Sequence, residues 1–470
     1  MRSRRIRTHC FVTHNHKVII LAFAFWTLLG LPAMTKADWE SDANTRIEQI
    51  RKRDAQITIV DSNGAPVPGL NVDINQVEKR FAFGTCIANS PLRNNATYRN
   101  FILSHFNWAV CENESKWTYN EGTTQGNVSY TDADYIYDWC NTNGIPMRGH
   151  CIFWEQQSSL PSWLPGLGYA PWPQTSALYT ACQNRLNSVV PHFQNKFLHW
   201  DVDNEQLSDS FFDRLEDNPS DVDSRVWMHQ RAHELDPDCL LFVNEYSGNS
   251  FGGYDSGPYV TLINNLRNQG APIHGIGIQA HLQENTTFQP QSYYDNVLQP
   301  LAGQNLPIWA TEFDASHSNV TTSADNIENF LRICFSHANV EGVIFWGFME
   351  NQMWRYNAYL VTSGGTLTER GTRYEALMDE WTTSDSDIAD SYGQVDFRGF
   401  HGTYEITLSA PGQGSELHVI ELEPGTSTQL FEIETALEPP EPDYDPPTPD
   451  PTWATAPTAT GSSTITMTST

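Results

Sequence analysis

Eight short apolar runs recur between residues 80 and 382, and each breaks into a polar cluster before a helical stretch begins. They are "RFAFGTCI", "HFNWAV", "IPMRGHCIFW", "FLHWDV", "CLLFVN", "IHGIGIQAH", "LPIWATE" and "GVIFWGF". Strands buried on both faces read as continuous hydrophobic runs, whereas half-exposed antiparallel strands alternate. Parallel strands also need crossover connections, and a helical stretch follows every run. Eight such units over roughly 300 residues predict an α/β fold, a closed (β/α)8 TIM barrel. In that architecture functional side chains gather where strands end at the C-terminal face. The polar clusters fall there: Glu112 and Asn113, Trp154 and Glu155, Asn204 and Glu205, Asn244 and Glu245, Gln279 and His281, Glu312 and Asp314.

The flanks read differently. Residues 1–37 carry a basic start, the apolar run "VIILAFAFWTLLGL" and the small-residue stretch "PAMTKA", the pattern of a secretory signal peptide. The run is short for a membrane span, which needs about 20 residues. The expectation is an exported protein with no membrane association after cleavage. Residues 38–75 form a short lead-in with a charged helix-like segment and the strand patterns "QITIVD" and "LNVDI". Residues 76–382 hold the barrel. Residues 386–437 read as successive short strands, a small β module that could bind polysaccharide or act as a spacer. Residues 438–470 form a Pro/Thr/Ser-rich linker and tail. The tail is either the first strand of a further module or a disordered end, and surface attachment through this region is one reading.

Charge narrows the partners. The formal net charge is −29, and loss of the leader removes six positive residues and no acidic ones, taking it to −35. Such a surface repels nucleic acid and anionic membrane but not a neutral polymer. Only six Lys occur in the chain, which also fits adaptation to salt. Once Cys10 leaves with the leader, seven cysteines remain, so at least one is unpaired. Their scatter lacks the spacing of a zinc site, and no metal or other cofactor is expected. Most should be core residues, with one or two disulfides among them.

Two carboxylates carry the chemistry. Glu205 closes the fourth run in "WDVDNEQL", and Glu312 closes the seventh in "ATEFD". The two runs fall across the mouth of a barrel from one another, so both groups would face one cleft. Glycoside hydrolysis needs such a pair, one acid for the leaving oxygen and one ionised group for the anomeric carbon. Trp154, Trp346 and Trp354 supply aromatic faces for sugar rings, while Trp200, inside its run, reads as core.

These segments resemble the signature regions of glycoside hydrolase family 10, the endo-β-1,4-xylanases. "ENESKW", "RGHCIFW", "GIGIQAHL" and "FWGFMENQMWR" resemble four further segments of that family in the same order, so the likeness covers about residues 75–382. The resemblance implies Glu205 as acid/base and Glu312 as nucleophile of a retaining, metal-independent hydrolysis. It implies substrate contacts from Glu112, Asn113, Lys116, His150, Trp154, Asn204, Gln279, Trp346 and Trp354. It also implies that His281 orients Glu312 and that Asp314 holds His281. Many members of the family carry His at this position, whereas the Glu155 of this chain, in "FWEQQSSLPSWL", resembles the branch that includes plant xylanases. Near the reacting ring, Glu155 would either raise the pKa values of both catalytic groups or touch a substituent of the substrate. The expected protein is a secreted, monomeric endo-xylanase acting on xylan or a related plant polysaccharide. A β-1,4- or mixed-linked glucanase is the alternative, and a non-catalytic polysaccharide-binding protein is the alternative of another class.

Overall fold

The structure, a computed structural model, describes residues 39–169, 176–215, 223–246 and 254–440. The leader and the tail beyond 440 lie outside the described residues. The chain starts with a helix, Trp39–Ile50, followed by β1 (Lys52–Val60) and β2 (Asn71–Lys79). The barrel comprises β3 (Ala82–Ile87), β4 (Trp108–Cys111), β5 (Met147–Trp154), β6 (Phe197–Asn204), β7 (Leu240–Glu245), β8 (Gly275–Ile278), β9 (Ile308–Phe313) and β10 (Val340–Phe345). All eight apolar runs are these strands. Each pairs in parallel with the next, and β10 closes the ring by pairing with both β9 and β3. Continuous burial is the reason for the continuous patterns: β3 and β9 are buried at every position.

Helices such as Ala177–His192 and Val320–Phe335 cover the outside and place their apolar faces against the strands. Trp200 is fully buried in this layer, with Phe193 and Phe197 against its ring. Among the described residues no helix is long and apolar enough to cross a membrane.

The lead-in and the C-terminal strands, which read in the sequence as two segments, share their sheets. Five more strands follow the barrel: β11 (Ser384–Ile388), β12 (Gln394–Phe400), β13 (Gly402–Ser409), β14 (Ser415–Leu422) and β15 (Gln429–Glu434). They pair with β1 and β2 in two sheets, ordered β12-β1-β15 and β11-β2-β13-β14. Ile57 and Ile59 from β1, Val72 and Ile74 from β2, and Val395, Phe397, Tyr404, Ile406 and Leu408 from the C-terminal strands fill one shared core. Neither segment alone has a second sheet to cover its apolar face, which is why they combine.

The seven cysteines correct a second expectation. All seven are free and buried, so the one or two disulfides are absent. They occupy core positions on β3, β4, β5 and three helices or lie at a strand start, and burial pushes each thiol up, Cys140 to about 12.

Candidate active site

The C-terminal ends of β4 to β10 converge on one buried polar network. β6 delivers two members in succession. Asn204 ends the strand, and Glu205 turns the chain with a φ of 65°, a left-handed conformation rare for a residue with a side chain. Such a turn costs on the order of 1–3 kcal/mol and persists where the surroundings hold it. Here the Glu205 N–H donates to the carbonyl of Asn244 at 3.1 Å.

The Glu205 carboxylate accepts the Trp154 indole N–H at 2.8 Å and the Gln279 amide at 3.0 Å. Burial pushes its pKa up, the hydrogen bonds from Gln279 and Trp154 oppose this, and the charge of Glu312 adds to the rise. Glu312, on β9, is the opposite case. Burial also works against its charge, but the His150 charge, the His281 hydrogen bond and charge, and Lys116 prevail and hold it at about 2. His281 Nε2 lies 3.4 Å from Glu312 Oε2, and His150 Nδ1 lies 3.9 Å from Oε1. Asp314 accepts from His281 Nδ1 at 2.6 Å. Burial lowers the proton affinity of His281, but Asp314 and Glu312 on its two sides outweigh it and raise the ring to about 9. Asp314 in turn accepts from Trp354 Nε1 at 3.2 Å and from Arg355 at 3.0 Å.

Asn244 is the member that sequence reasoning did not assign to the site. Its amide donates both to Asn204 Oδ1 and to Glu312 Oε1, each at 2.8 Å, and its oxygen accepts from Thr311 Oγ1 at 2.5 Å. Asn244 therefore fixes the amide orientation of Asn204 and ties β6 to β9 across the site. The signal was present in the "NE" that breaks the fifth apolar run. With its oxygen so engaged, Asn204 is left with a buried Nδ2 that has no partner among the described residues, a donor available to a substrate hydroxyl.

Room for Asn244 comes from Gly277 on β8. A Cβ there would lie 2.4 Å from Asn244 Oδ1 and 3.1 Å from the Val243 carbonyl oxygen. Gly277→Ala is expected to cost about 1–3 kcal/mol, the scale of overpacking a filled site. A thermal midpoint equal to that of the wild type would show that Asn244 can move freely.

The remaining candidates line the same mouth. Lys116 donates to Asn113 Oδ1 at 3.0 Å, and its Nζ lies 4.8 Å from the Trp154 ring and 5.5 Å from the Trp346 ring. Glu112 is raised by burial and by the charge of Glu114. His150 is clamped by Asp201, which accepts from its Nδ1 at 3.0 Å and from Arg148 at 2.7 Å. Trp346 is buried with its ring 5.2 Å from His150, whereas Trp354 is half exposed with its ring 4.8 Å from His281.

Glu155 is the correction. It does not face the reacting position but is 1% exposed, on the other side of β5's end from Trp154. Its Oε2 accepts the backbone N–H of Phe212 at 2.8 Å.

A closed parallel barrel with two unlike carboxylates among indoles at its C-terminal mouth defines the class of (β/α)8 glycoside hydrolases. More narrowly, the chain belongs to glycosyl hydrolase family 10, whose model matches residues 74–376. It is 41% identical over 397 residues to the anti-sigma-I factor RsgI6 of Acetivibrio thermocellus, covering 84% of this chain and 50% of that one. It is 36% identical over 390 residues to endo-1,4-beta-xylanase 1 of Arabidopsis thaliana, covering 82% of this chain and 40% of that one. The chain thus spans half or less of the length of these relatives. In fold it is similar to xylanase 10B of Thermotoga maritima, with a TM-score of 0.56 at 22% identity over 64% of this chain and 95% of that one.

Proposed function

We propose that the chain is an endo-β-1,4-xylanase that cleaves internal xylosidic bonds with retention of configuration. One observation carries this reading. Two carboxylates belonging to one hydrogen-bonded network are driven in opposite directions, Glu312 down to about 2 and Glu205 up. Environments that separate two acids in this way assign their roles. Glu312, ionised, attacks the anomeric carbon, and Glu205, protonated, delivers its proton to the leaving oxygen. Glu205 then takes a proton from the water that releases the glycosyl-enzyme. The orphan Nδ2 of Asn204 donates to the sugar 2-hydroxyl, a contact that strengthens as charge develops at the ring. Trp154, Trp346 and Trp354 cover sugar faces, and Lys116 with Asn113 grips hydroxyls of the neighbouring unit.

The substrate assignment draws support from the xylanase relatives, and export from the leader pattern of residues 1–37. The protein acts as a monomer in this reading. A second reading is favoured by the relative named an anti-sigma-I factor rather than a hydrolase: the barrel binds polysaccharide and does not cut it. Reducing-sugar release from xylan and from carboxymethylcellulose separates these readings. Release from xylan at least tenfold above that from the cellulose derivative is expected. The reverse ratio would make the chain a β-glucanase, and binding without release from either would favour the second reading.

A further inference from the structure

Behind Glu205, away from the cleft, lies a group of buried acids that the proposed reaction does not use. Glu155 follows β5, Asp203 sits on β6 two residues before Glu205, and Glu245 ends β7. All three are at most 1% exposed. Among the described residues one cation faces them, Arg225 on the helix Ser224–Leu235, and it is tied to Asp223 at 2.6 and 2.7 Å. From the helix Ala177–His192 the group is faced by Cys182, a thiol that burial pushes up. From the cleft side it is faced by Glu205, and Asp213 lies near Arg225 on the turn Phe212–Leu215.

Written as carboxylates, these groups do not balance. Glu155 Oε1 and both oxygens of Asp203 are buried and have no donor among the described residues. A proton between the two side chains makes the one hydrogen bond the pair can form. Burial and the neighbouring charge point the same way. Glu155 is pushed well up by burial and then by Asp203, and burial takes Asp203 to about 7 against the pull of Arg225.

The pair also holds the segment that carries Glu205. The Glu155 backbone N–H donates to Asn204 O at 3.0 Å, and Glu155 O accepts from Phe211 N at 3.3 Å. Its side chain takes the Phe212 N–H, Asp203 O takes the Gln206 amide at 2.9 Å, and Glu245 Oε1 takes the Leu207 N–H at 2.9 Å. Residues 203–212 are thus fastened at both ends to Glu155 and Asp203.

We propose that Glu155 and Asp203 share one proton, and that this acid–carboxylate pair positions Glu205 by clamping both ends of the segment that bears it. The proposal rests on Glu205 as the acid/base. The two are positioning residues, since neither reaches the cleft.

Two variants test it, Glu155→Met, of similar size without polar atoms, and Glu155→Gln, which supplies a permanent donor. Xylan needs the proton of Glu205, whereas an aryl β-xylobioside with a nitrophenol leaving group does not need it for bond cleavage. Glu155→Met should lose at least tenfold more kcat/KM on xylan than on the aryl glycoside, and Glu155→Gln should recover most of that difference. An equal loss on both substrates, or none, overturns the positioning role.

Thermal midpoints between pH 5 and 8 read the proton without using activity. An acid raised by folding keeps a proton that the unfolded chain releases, so the pair's contribution to stability falls as pH rises through this window, while buried histidines such as His229 contribute the opposite slope in both proteins. Glu155→Gln should flatten that fall, because its amide donates to Asp203 without a titrating proton. Parallel curves for the two proteins overturn the shared proton. If the wild type cleaves neither substrate, the xylanase reading fails and the midpoints still decide on the pair.

Discussion

Glu312→Ala is expected to lower kcat on xylan by about 10⁵-fold, the scale on which loss of a covalent nucleophile acts. The barrier rises by about 7 kcal/mol on that figure. The structure explains why so much should rest on one side chain. Glu312 is nearly buried, yet His281, His150, Lys116 and the Asn244 amide all stabilise its negative form. On the proposed mechanism, alanine removes the group that this set of donors and cations holds ionised for attack on the anomeric carbon. The cavity it leaves admits azide, which attacks from the same face without a later displacement. Azide should therefore restore turnover of an activated aryl glycoside and yield the α-configured glycosyl azide. A loss below about tenfold, or a β-configured product, would remove Glu312 from the nucleophile's place. Because Glu312 is held at about 2, it stays charged across the working range, and the acid limb of kcat/KM in the wild type should lie at low pH.

The barrel strands were legible in the sequence because each is buried on both faces and therefore announces itself without help from a partner. The strand-end carboxylates were legible for the same reason, since Glu205 and Glu312 interrupt runs in which charge has no other explanation. Pairing between distant segments was not legible. The alternation in "TYEITLS" marks β13 as half-buried, but nothing in it says that β2 lies alongside. β11, "SDSDI", has no apolar alternation and is exposed at all five positions. It is a strand only because β2 offers it an edge.

Glu155 was misread through its neighbour. Successive residues at a strand end point to opposite sides, so an indole of Trp154 turned into the cleft sends Glu155 away from it. Asn244 was overlooked because its importance comes from touching Asn204 and Glu312 at once, which is a property of the closed barrel and not of β7.

Glu205→Ala should separate substrates by their leaving groups. On xylan, whose departing sugar oxygen needs a proton, kcat/KM is expected to fall by about 10²–10⁴-fold, the range of general acid catalysis. On an aryl β-xylobioside with a nitrophenol leaving group, kcat/KM should change little, because the first step no longer needs the acid. Its kcat should still fall, since water must attack the glycosyl-enzyme without a base, and a burst of nitrophenol should precede a slow steady state. The two proposed duties are consistent with the electrostatics of the site. In the free enzyme Glu205 is raised by burial, and the charge on Glu312 adds to this, which favours the protonated form. Once Glu312 becomes a neutral ester that repulsion is gone, while the hydrogen bonds from Gln279 and Trp154 continue to favour the carboxylate. The same residue is then the stronger acid when the water step needs it ionised. Azide added to Glu205→Ala should intercept the ester and give the β-configured glycosyl azide, opposite to the product from Glu312→Ala. Equal losses on xylan and the aryl glycoside would show that Glu205 supports the fold of the site rather than the proton transfer.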